Sequence, residues 1–389
     1  MYSVNNLLSF ITKEEFIAFA ANTKVDKHTK KLYGELLFKL LLYCLVTEKD
    51  NSLRGMQSAL ESTVFRALAN ISGNTKIAHS SISERLNVIN PTFFENIFNH
   101  SLIKYGYQST VENYNIVRFD STIVSLSTTL MKIGYNLKGG DAGNHQLLKF
   151  TIGYSDMPEC ICFYTAQTYN SENVALTETI VANQKKEKQI NVFDRGITSR
   201  NNYDRLTEKK ILFVSRINAD AKQELHTASK IRKPIETDTL IINSDKWVHL
   251  FTQNKKKTDH PVRLIGCKTK ADGASMTFIT NIKDMKPAEI TAIYKSRWDI
   301  EIFFKFIKQH LNFSHLLNRT ENGIKVVMYA TMTLAILIAQ YKKINNLKGF
   351  KIPKRNFAQE IENDLIFAVV IACKGDANLA KKIIYRNTS

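Results

Sequence analysis

Residues 115–127 read Asn-Ile-Val-Arg-Phe-Asp-Ser-Thr-Ile-Val-Ser-Leu-Ser, and this stretch decides the fold class of the 389-residue chain. Branched and aromatic residues dominate it, which is typical of a β-strand. Its first apolar segment, Ile116 to Phe119, ends at a carboxylate, Asp120. The stretch therefore predicts a strand that carries an acidic side chain.

The elements that follow this strand predict the architecture around it. Two further strands come next, separated by a turn at Met157-Pro158-Glu159, and helices and strands then alternate. Three strands followed by alternating elements favour a mixed sheet covered by helices, so the expected fold class is α/β. The predicted elements are strands at 147–154 and 160–168, a helix at 171–188, a strand at 189–193, a helix at 200–210 and a strand at 211–217.

The flanking regions have other patterns, and together they suggest five segments. The first segment has apolar residues at helical spacing, and it is interpreted either as a helix-turn-helix DNA reader or as an ordinary helical bundle. Short strands between polar turns indicate a β-rich insertion later in the chain. The predicted segments are an all-α N-terminal DNA-binding domain (1–108), the first part of a catalytic core (109–216), the β-rich insertion (217–286), the second part of the core (287–345) and a basic helical C-terminal segment (346–389).

Charge is the outstanding feature of the composition. The chain has 54 Lys and Arg against 36 Asp and Glu, a formal net charge of +18. Such an excess favours a polyanionic partner, most often nucleic acid, although a solvated basic surface is the plainer interpretation. The longest uncharged apolar stretch, Val326 to Ala339, is too short to cross a bilayer, so no membrane partner is expected. Five irregularly spaced cysteines favour a cytoplasmic protein with reduced thiols.

Three carboxylates stand out by position: Asp120 and Asp194 each follow an apolar strand, and Glu301 lies on a strongly predicted helix after Pro287. Neighbouring strands can bring the two aspartates together, and a packed helix can add the glutamate. Such a cluster needs a cation, and its hard oxygen ligands select Mg²⁺ or Mn²⁺, two of which support phosphoryl transfer. Taken singly, an aspartate at a strand end is more often a turn or cap residue.

The helix carries a polar face at a defined spacing. Tyr294, Arg297, Glu301 and Lys308 follow one another at intervals of 3, 4 and 7 residues, which places them on one side of a helix. One interpretation is a metal ligand flanked by phosphate donors; the other is an exposed ion-pair ladder. Apolar residues fill the opposite stripe, and Trp298 and Ile302 are expected to be buried there.

This spacing resembles the Y-R-E-K signature of bacterial DDE transposases of the insertion-sequence type, the family of the Tn-five and Tn-ten enzymes. Asp120-Ser-Thr is similar to that family's first motif and Asp194-Arg-Gly to its second. The β-rich insertion between the second aspartate and the glutamate is likewise similar to the family's. The resemblance covers most of the chain, and its specificity lies in about eight residues.

The resemblance implies an RNase H-like core that holds Asp120, Asp194 and Glu301 around two Mg²⁺ or Mn²⁺ ions. It implies a transposase that binds the terminal inverted repeats of an insertion sequence and cleaves the DNA ends by two-metal phosphoryl transfer. Joining of the 3′-hydroxyl to target DNA would follow. Cut-and-paste transposition is the expected route, with a DNA hairpin as one way to free the second strand.

The resemblance also implies DNA-binding roles. Tyr294, Arg297 and Lys308 would hold phosphates near the transposon end, and Arg195 is a further candidate. Trp247, in the insertion, is the candidate for stacking a flipped base, although a core role for it is the plainer interpretation. A homodimer in the synaptic complex and association with the bacterial nucleoid are expected.

Two other functions remain open at this stage. One is a catalytically inactive, transposase-derived DNA-binding protein or repressor, which would not need an intact Asp120, Asp194 and Glu301. The other is an RNase H-fold nuclease, which would need the metal site but not the polar helix face. Specific binding to one terminal inverted repeat separates these readings from the preferred one.

Overall fold

A computed structural model describes most of the chain, and its described residues belong to two compact units. The first unit comprises residues 1–106, 130–133 and 305–389, and the second comprises 107–129 and 134–304. Described within these bounds are residues 10–47, 52–71, 76–106, 110–111, 114–126, 135–136, 146–184, 188–229, 231–313, 318 and 320–384.

Helices make up most of the first unit and flank the sheet of the second. In chain order they are α1 (Lys13–Thr23), α2 (Gly34–Thr47), α3 (Leu53–Glu61), α4 (Thr63–Leu68), α5 (His79–Val88), α6 (Thr92–Tyr105), α7 (Glu172–Ala182), α8 (Arg200–Glu208), α9 (Pro287–Lys295), α10 (Trp298–His310), α11 (Glu321–Ile344), α12 (Lys351–Ala372) and α13 (Ala377–Ile384).

The strands among the described residues belong to one twelve-stranded sheet in the second unit. They are β1 (Thr110–Val111), β2 (Tyr114–Leu126), β3 (Tyr135–Asn136), β4 (Gln146–Tyr154), β5 (Pro158–Tyr164), β6 (Gln189–Phe193), β7 (Leu212–Ile217), β8 (Gln223–Thr227), β9 (Ile235–Glu236), β10 (Leu240–Leu250), β11 (Val262–Thr269) and β12 (Ser275–Thr280).

Helix α11 forms the core of the first unit. It begins at the N-cap Thr320, whose hydroxyl accepts a hydrogen bond from the backbone N–H of Gly323, and nearly all of its length is buried. It is the one helix among the described residues that is long and apolar enough to cross a membrane, but 89% of its most apolar window is buried in the protein. Burial on all sides explains this apolar composition without a bilayer.

The apolar segment 365–373 is less buried than its composition suggests. Its apolar sequence predicts a segment packed mainly as intramolecular core, but Ile366 is 52% exposed, Val369 48% and Ile371 51%, so that prediction is wrong at these positions. Leu379 and Ile383 on helix α13 are also exposed. The C-terminal helices therefore present apolar side chains to solvent.

The centre of the sheet in the second unit follows the predicted arrangement. Strand β2 pairs in parallel with β6, and β6 pairs in parallel with β7, while β4 pairs antiparallel with β2. Alternate residues of β2 enter different cores: Val117 and Phe119 pack with α7 and α8, whereas Ile116 packs with α9. Burial on both faces accounts for the continuous apolar run of this strand. The predicted mixed sheet covered by helices is confirmed.

The β-rich insertion extends this sheet. Strand β12 pairs antiparallel with β7, and β11, β10 and β8 follow outward. The sequence pattern of this insertion predicts separate short strands at 240–242 and 247–251, but the structure has one continuous strand there, β10, with a register irregularity between Ile242 and Ser244. Because polar residues sit inside this strand, the apolar pattern alone divided it in two.

The single helix predicted after Pro287 is two helices, α9 and α10, separated at Ser296 and Arg297. Hydrogen bonds at this junction run over three residues, as between the Arg297 N–H and the Tyr294 carbonyl, so the chain turns more tightly than an α-helix. The break redirects the residues that follow it. Trp298 is 60% exposed and Ile302 45% exposed, so the expectation that both are buried is wrong.

Candidate active site

Sheet register places Asp120 and Asp194 side by side. Phe119 of β2 and Phe193 of β6 are partners in the parallel ladder, and each aspartate is the next residue on its strand. The carboxyl ends of parallel strands open at one edge of a sheet, where ligands of α/β proteins commonly bind. Asp194 directly follows β6, whereas Asp120 lies inside β2, which continues to Leu126, so the expected strand-end position of Asp120 is wrong. The parallel ladder still brings the two residues together, because its last pair directly precedes both.

The next strand in the sheet adds a cation. Val192 of β6 pairs with Val214 of β7, and two residues farther along these strands lie Asp194 and Arg216. The Ser215 hydroxyl donates a hydrogen bond to the Asp194 carbonyl at 2.7 Å, which ties the two strand ends together. The buried Nε of Arg216 has no hydrogen-bond partner among the described residues. A buried guanidinium nitrogen without a partner is uncommon, so this donor needs an explanation.

Asp120 is half-buried and lies among other carboxylates. Its carboxylate accepts a hydrogen bond from the Ser121 backbone N–H at 2.7 Å. Burial raises the pKa of Asp120 to about 7, against the lowering by the Ser121 bond; Asp194 and Glu172 raise it further, and Arg297 lowers it. The nearby carboxylates add to burial in favouring the protonated form of Asp120. A bound cation would favour its ionised form.

Glu172, the first residue of α7, is the third member of this group, which we name the carboxylate cluster (Asp120, Glu172 and Asp194). A Cβ added at Gly196 would lie 2.1 Å from the Glu172 Oε2 and 2.8 Å from the Asp194 Oδ1, so both carboxylates border the bare Cα of this glycine. Burial and Asp194 raise the pKa of Glu172, and Lys149 lowers it. The nearly buried Lys149 ammonium lies 3.8 Å from this carboxylate and donates to the Asn170 carbonyl.

Arg297 and Glu301 form a close ion pair at the start of α10. The guanidinium Nη2 lies 2.5 Å from the Glu301 carboxylate oxygen, and the two side chains are 15% and 34% exposed. Arg297 also acts electrostatically on Asp120, so it lies within reach of both carboxylates. The predicted i,i+4 pair is present, and it occupies the glutamate that was predicted as a metal ligand.

Tyr294 completes what we name the helix junction (Tyr294, Ser296, Arg297 and Glu301). Its ring meets Phe278 edge-on at 5.2 Å, and the Arg297 guanidinium lies 6.0 Å from the ring centre. Burial raises the pKa of Tyr294, while Arg297 and Arg216 lower it. An open pocket of about 710 Å³ lies at the junction, lined by residues 292 and 294–299. The exposed Trp298 is among them.

The remaining predicted residues lie elsewhere. Lys308 is exposed on the last turns of α10, seven residues after Glu301, and Arg195 is exposed in the turn after β6. Trp247 is half-buried on β10, opposite Arg263 and Thr227, and is not part of a closed core.

Two residues near the site were not predicted from the sequence. Glu172 is a lone glutamate in the first turn of a helix, a place where acidic residues are common for the helix dipole alone. Arg216 ends a strand without any recognisable motif. Only the pairing of β6 with β7 could have identified Arg216, because it aligns this residue with Asp194.

The carboxylate cluster has the right donor chemistry for a hard divalent cation but not a finished site. Among the residues that the structure describes, no three His, Cys, Asp or Glu side chains are gathered closely enough to hold a metal ion as they stand. Burial raises the pKa of Asp120 most, and the nearby Asp194 and Glu172 raise it further. Carboxylate oxygens are what Mg²⁺ and Mn²⁺ prefer, so the donor chemistry of the carboxylate cluster fits the expected ions.

Known proteins with similar sequences share one description. A protein of Sinorhizobium fredii that is named as a transposase, y4zB, is 29% identical over 156 residues, which is 40% of this chain and 43% of that protein. The protein of Geobacillus stearothermophilus named for the insertion sequence element IS5377 is 28% identical over 41% of this chain and 42% of its own length. A Synechocystis protein named for the element IS4SA is 28% identical over 57% and 59%.

These matches span about half the length of the curated relatives. A family comparison covers more of the chain: residues 112–338, more than half of its length, match the transposase DDE domain. This range contains β2, β6 and most of α11, and therefore both aspartates and the helix junction. An α/β unit with a large mixed sheet is consistent with the RNase H-like core of such transposases. The chain belongs to the transposase DDE domain family.

Proposed function

We propose that this protein is an insertion-sequence transposase of the branch with the Y-R-E-K signature, which cleaves DNA ends and joins them to target DNA. One observation carries the proposal. Within a DDE domain, Asp120 and Asp194 lie side by side just past the last parallel pair of β2 and β6, and Arg297 pairs with Glu301 and acts electrostatically on Asp120. These are the carboxylates that two-metal phosphoryl transfer requires.

Asp120, Asp194 and Glu301 would hold two Mg²⁺ or Mn²⁺ ions. When bound, such ions activate a water or a 3′-hydroxyl and stabilise the leaving oxygen. The protein's part is to hold the carboxylates in place: the Asp194 Oδ1 accepts a hydrogen bond from the Gly196 N–H at 2.7 Å, and the Asp120 carboxylate is held by the Ser121 N–H. Both bonds leave further lone pairs of these carboxylates for metal ligation.

Arg297 would change partners during this assembly. Without metal it neutralises Glu301 and is attracted to Asp120. If Glu301 held a metal ion instead, the guanidinium would be free for a DNA phosphate, to which arginine can donate two parallel hydrogen bonds. The same side chain thus protects the unliganded site and then binds the substrate.

Further donors surround this position. Tyr294 lies under the Arg297 guanidinium, and the Arg216 Nε is buried without a partner nearby on the sheet. We propose that Tyr294, Arg297 and Arg216 bind the phosphate at the transposon end. The exposed side chains of Lys308 and Arg195 bind phosphates farther along the duplex, where they add affinity without reading sequence.

An aromatic surface for a flipped base has two candidates. Trp247 is half-buried in the insertion, and Trp298 is 60% exposed next to Arg297. A base that leaves the duplex needs an aromatic face to receive it, and an exposed indole provides one. The position of Trp298 in the junction pocket supports a base contact there in addition to Trp247.

The rest of the protein would serve end recognition and pairing. The basic charge favours DNA, and the helices α1 to α6 are the proposed all-α DNA-binding part. Joining two ends needs two protomers, and the exposed Ile366, Val369 and Ile383 give a homodimer an apolar surface. A DNA substrate places this work at the nucleoid. The rival repressor function is less favoured, because all three carboxylates and the Arg297–Glu301 pair are intact.

End cleavage by the full chain tests the proposal. A labelled duplex with the inverted repeat that borders the gene is incubated with Mg²⁺ or with EDTA. Glu301→Ala is compared with Glu178→Ala, which removes an ion pair to Arg205 far along α7 in the same unit. Metal-dependent nicking at the repeat boundary, lost only in Glu301→Ala, is expected, and a hairpin product would identify the second-strand route. Specific binding without cutting under either condition would favour the repressor.

A further inference from the structure

Arg118 is a buried arginine two residues before Asp120 on β2, and the proposed function leaves it without a role. Its side chain is 6% exposed. Its Nε donates to the Ser296 carbonyl at 3.0 Å, and its Nη1 donates to the Ser155 carbonyl at 2.8 Å. The Nη2 forms an ion pair with Asp299 at 3.2 Å. A buried guanidinium costs several kcal/mol in desolvation unless its donors are satisfied, and these contacts satisfy them.

One of these partners, Ser296, lies in the break between α9 and α10, and another, Asp299, lies in the first turn of α10. Ser296 is the C-cap of α9, and its carbonyl also accepts the Asp299 N–H at 3.0 Å, so Arg118 shares an acceptor with the first turn of α10. Arg297 follows Ser296 directly, and Glu301 lies one turn later. Arg118, on the strand of Asp120, therefore binds the backbone carbonyl of Ser296, just before Arg297. It also binds the carboxylate of Asp299, which lies between Arg297 and Glu301.

We propose that Arg118 is a positioning residue that fixes the helix junction against the strand of Asp120, and so sets where the Glu301 carboxylate can reach. This inference rests on the proposed function, because it assigns Arg118 to the assembly of that same metal site. Arg118 need not touch DNA or metal, since its donors are directed to the Ser155 and Ser296 carbonyls and to Asp299.

The geometry explains why an arginine is needed. The planar guanidinium reaches three separate acceptors at once, which a lysine ammonium on a flexible stem does not reproduce. Arg118→Lys should keep the buried charge but loosen the junction. Asp299→Asn removes only the half-exposed end of the contact and should have a smaller effect of the same kind.

The same unit offers a matched control. Arg263 is as buried as Arg118, pairs with Asp245 at 2.7 Å, and donates to the carbonyls of Ile282 and Met285. Its contacts lie before α9 and do not involve the helix junction. Arg263→Lys therefore removes a buried arginine fork of the same kind at a different place.

Hydrogen exchange of the full chain without metal or DNA tests the proposal first. Amides of residues 296–301 should exchange about tenfold faster in Arg118→Lys than in the wild type, and at the wild-type rate in Arg263→Lys. Strands β2 and β6 should be unchanged. Equal exchange in wild type and Arg118→Lys, or equal acceleration by both lysine variants, would overturn the proposal.

A second readout tests the role in the reaction. The Mn²⁺ concentration for half-maximal end cleavage should rise about tenfold in Arg118→Lys and about threefold in Asp299→Asn, and it should not change in Arg263→Lys. An unchanged Mn²⁺ dependence in Arg118→Lys would contradict the positioning role even if the maximal rate fell. Absence of metal-dependent cleavage in the wild type would overturn the proposed function instead, and the exchange result would still decide whether Arg118 fixes the junction.

Discussion

The carboxylate cluster and the helix junction hold charge in opposite ways. In the cluster, the sheet forces Asp120, Asp194 and Glu172 near one another, and the pKa of Asp120 rises to about 7. In the junction, Glu301 already has a partner, the Arg297 guanidinium at 2.5 Å. The carboxylate cluster therefore has too little positive charge nearby, whereas in the helix junction Arg297 neutralises Glu301.

This difference assigns the two regions different parts in assembling the site. A cation stabilises the cluster as soon as it binds, because it relieves repulsion that the backbone imposes. The junction gains nothing from a cation until the Arg297–Glu301 pair opens. We infer that the cluster recruits the first ion and that the junction completes the site when a DNA phosphate is present to take over Arg297.

The largest expected effect separates binding from cleavage. Asp120→Ala, Asp194→Ala and Glu301→Ala should each lower end cleavage by roughly a thousandfold or more, because each removes a proposed metal ligand. Binding to the transposon end should stay within about threefold in gel-shift titrations. Full cleavage by any one variant would remove that residue from the ligand set. The cluster variants should also lose Mn²⁺ binding in calorimetry, whereas Glu301→Ala should retain one ion.

The sequence was sufficient for the residues whose placement depends on local pattern. Asp120 and Asp194 each follow an apolar run, and parallel pairing makes these positions neighbours, although β2 continues past Asp120 to Leu126. The spacing of Tyr294, Arg297 and Glu301 was informative because i,i+3 and i,i+4 residues remain close even across the helix break.

Contacts made across the sheet could not be predicted in this way. Glu172 and Arg216 reach the site through the start of α7 and the pairing of β6 with β7, which no local pattern encodes. Trp298 was misplaced because helical periodicity was continued through the break at Ser296 and Arg297. Arg118 appeared as one residue of an apolar run, and its buried contacts depend on where the distant α9 ends.

Trp298 tests whether the region around the helix junction contacts a DNA base. Trp298→Ala should weaken binding to the transposon end by about 1–3 kcal/mol if a base stacks on its exposed ring. Its fold should be intact, since the ring is already 60% exposed. Trp247→Ala is the paired variant in the insertion, and fluorescence of 2-aminopurine near the DNA end gives the readout. Equal binding by wild type and Trp298→Ala would remove this residue from the interface.

Loss of phosphate binding by Arg297 or Lys308 should have a smaller effect, which includes a change in the salt dependence of DNA affinity. Arg297→Ala and Lys308→Ala should each lower end affinity by about tenfold and reduce the slope of log affinity against log salt by about 1. Arg205→Ala, which breaks an exposed pair with Glu178, serves as the control. A salt slope that is the same as in the wild type would make Arg297 and Lys308 structural residues.

The carboxylate cluster should make the free energy of unfolding depend on pH, even without DNA. Asp120 has a folded pKa of about 7 against an ordinary value of 3.8, so its contribution to stability is present at low pH and is lost as pH rises toward 7. The pKa of Glu172 is raised in the same direction. In metal-free urea unfolding, the free energy of unfolding of Asp120→Asn relative to the wild type should therefore be about 1–2 kcal/mol higher at pH 8 than at pH 4.5.

Saturating Mg²⁺ should abolish most of that difference, because the cation then stabilises the charged carboxylate in the wild type. Asp204→Asn, at an aspartate that accepts the backbone N–H groups of Asp259 and His260 elsewhere in the unit, is the control. A difference between Asp120→Asn and wild type that does not vary with pH would show that Asp120 is not under electrostatic pressure.

A crystal structure of the full chain with Mn²⁺ and a transposon-end duplex, phased on the anomalous signal of Mn²⁺, tests the central claim most directly. The account predicts Mn²⁺ ligated by Asp120, Asp194 and Glu301, with Arg297 moved from the Glu301 carboxylate to a DNA phosphate. Mn²⁺ bound while Arg297 and Glu301 remain paired would contradict it, because the helix junction would then play no part in completing the metal site.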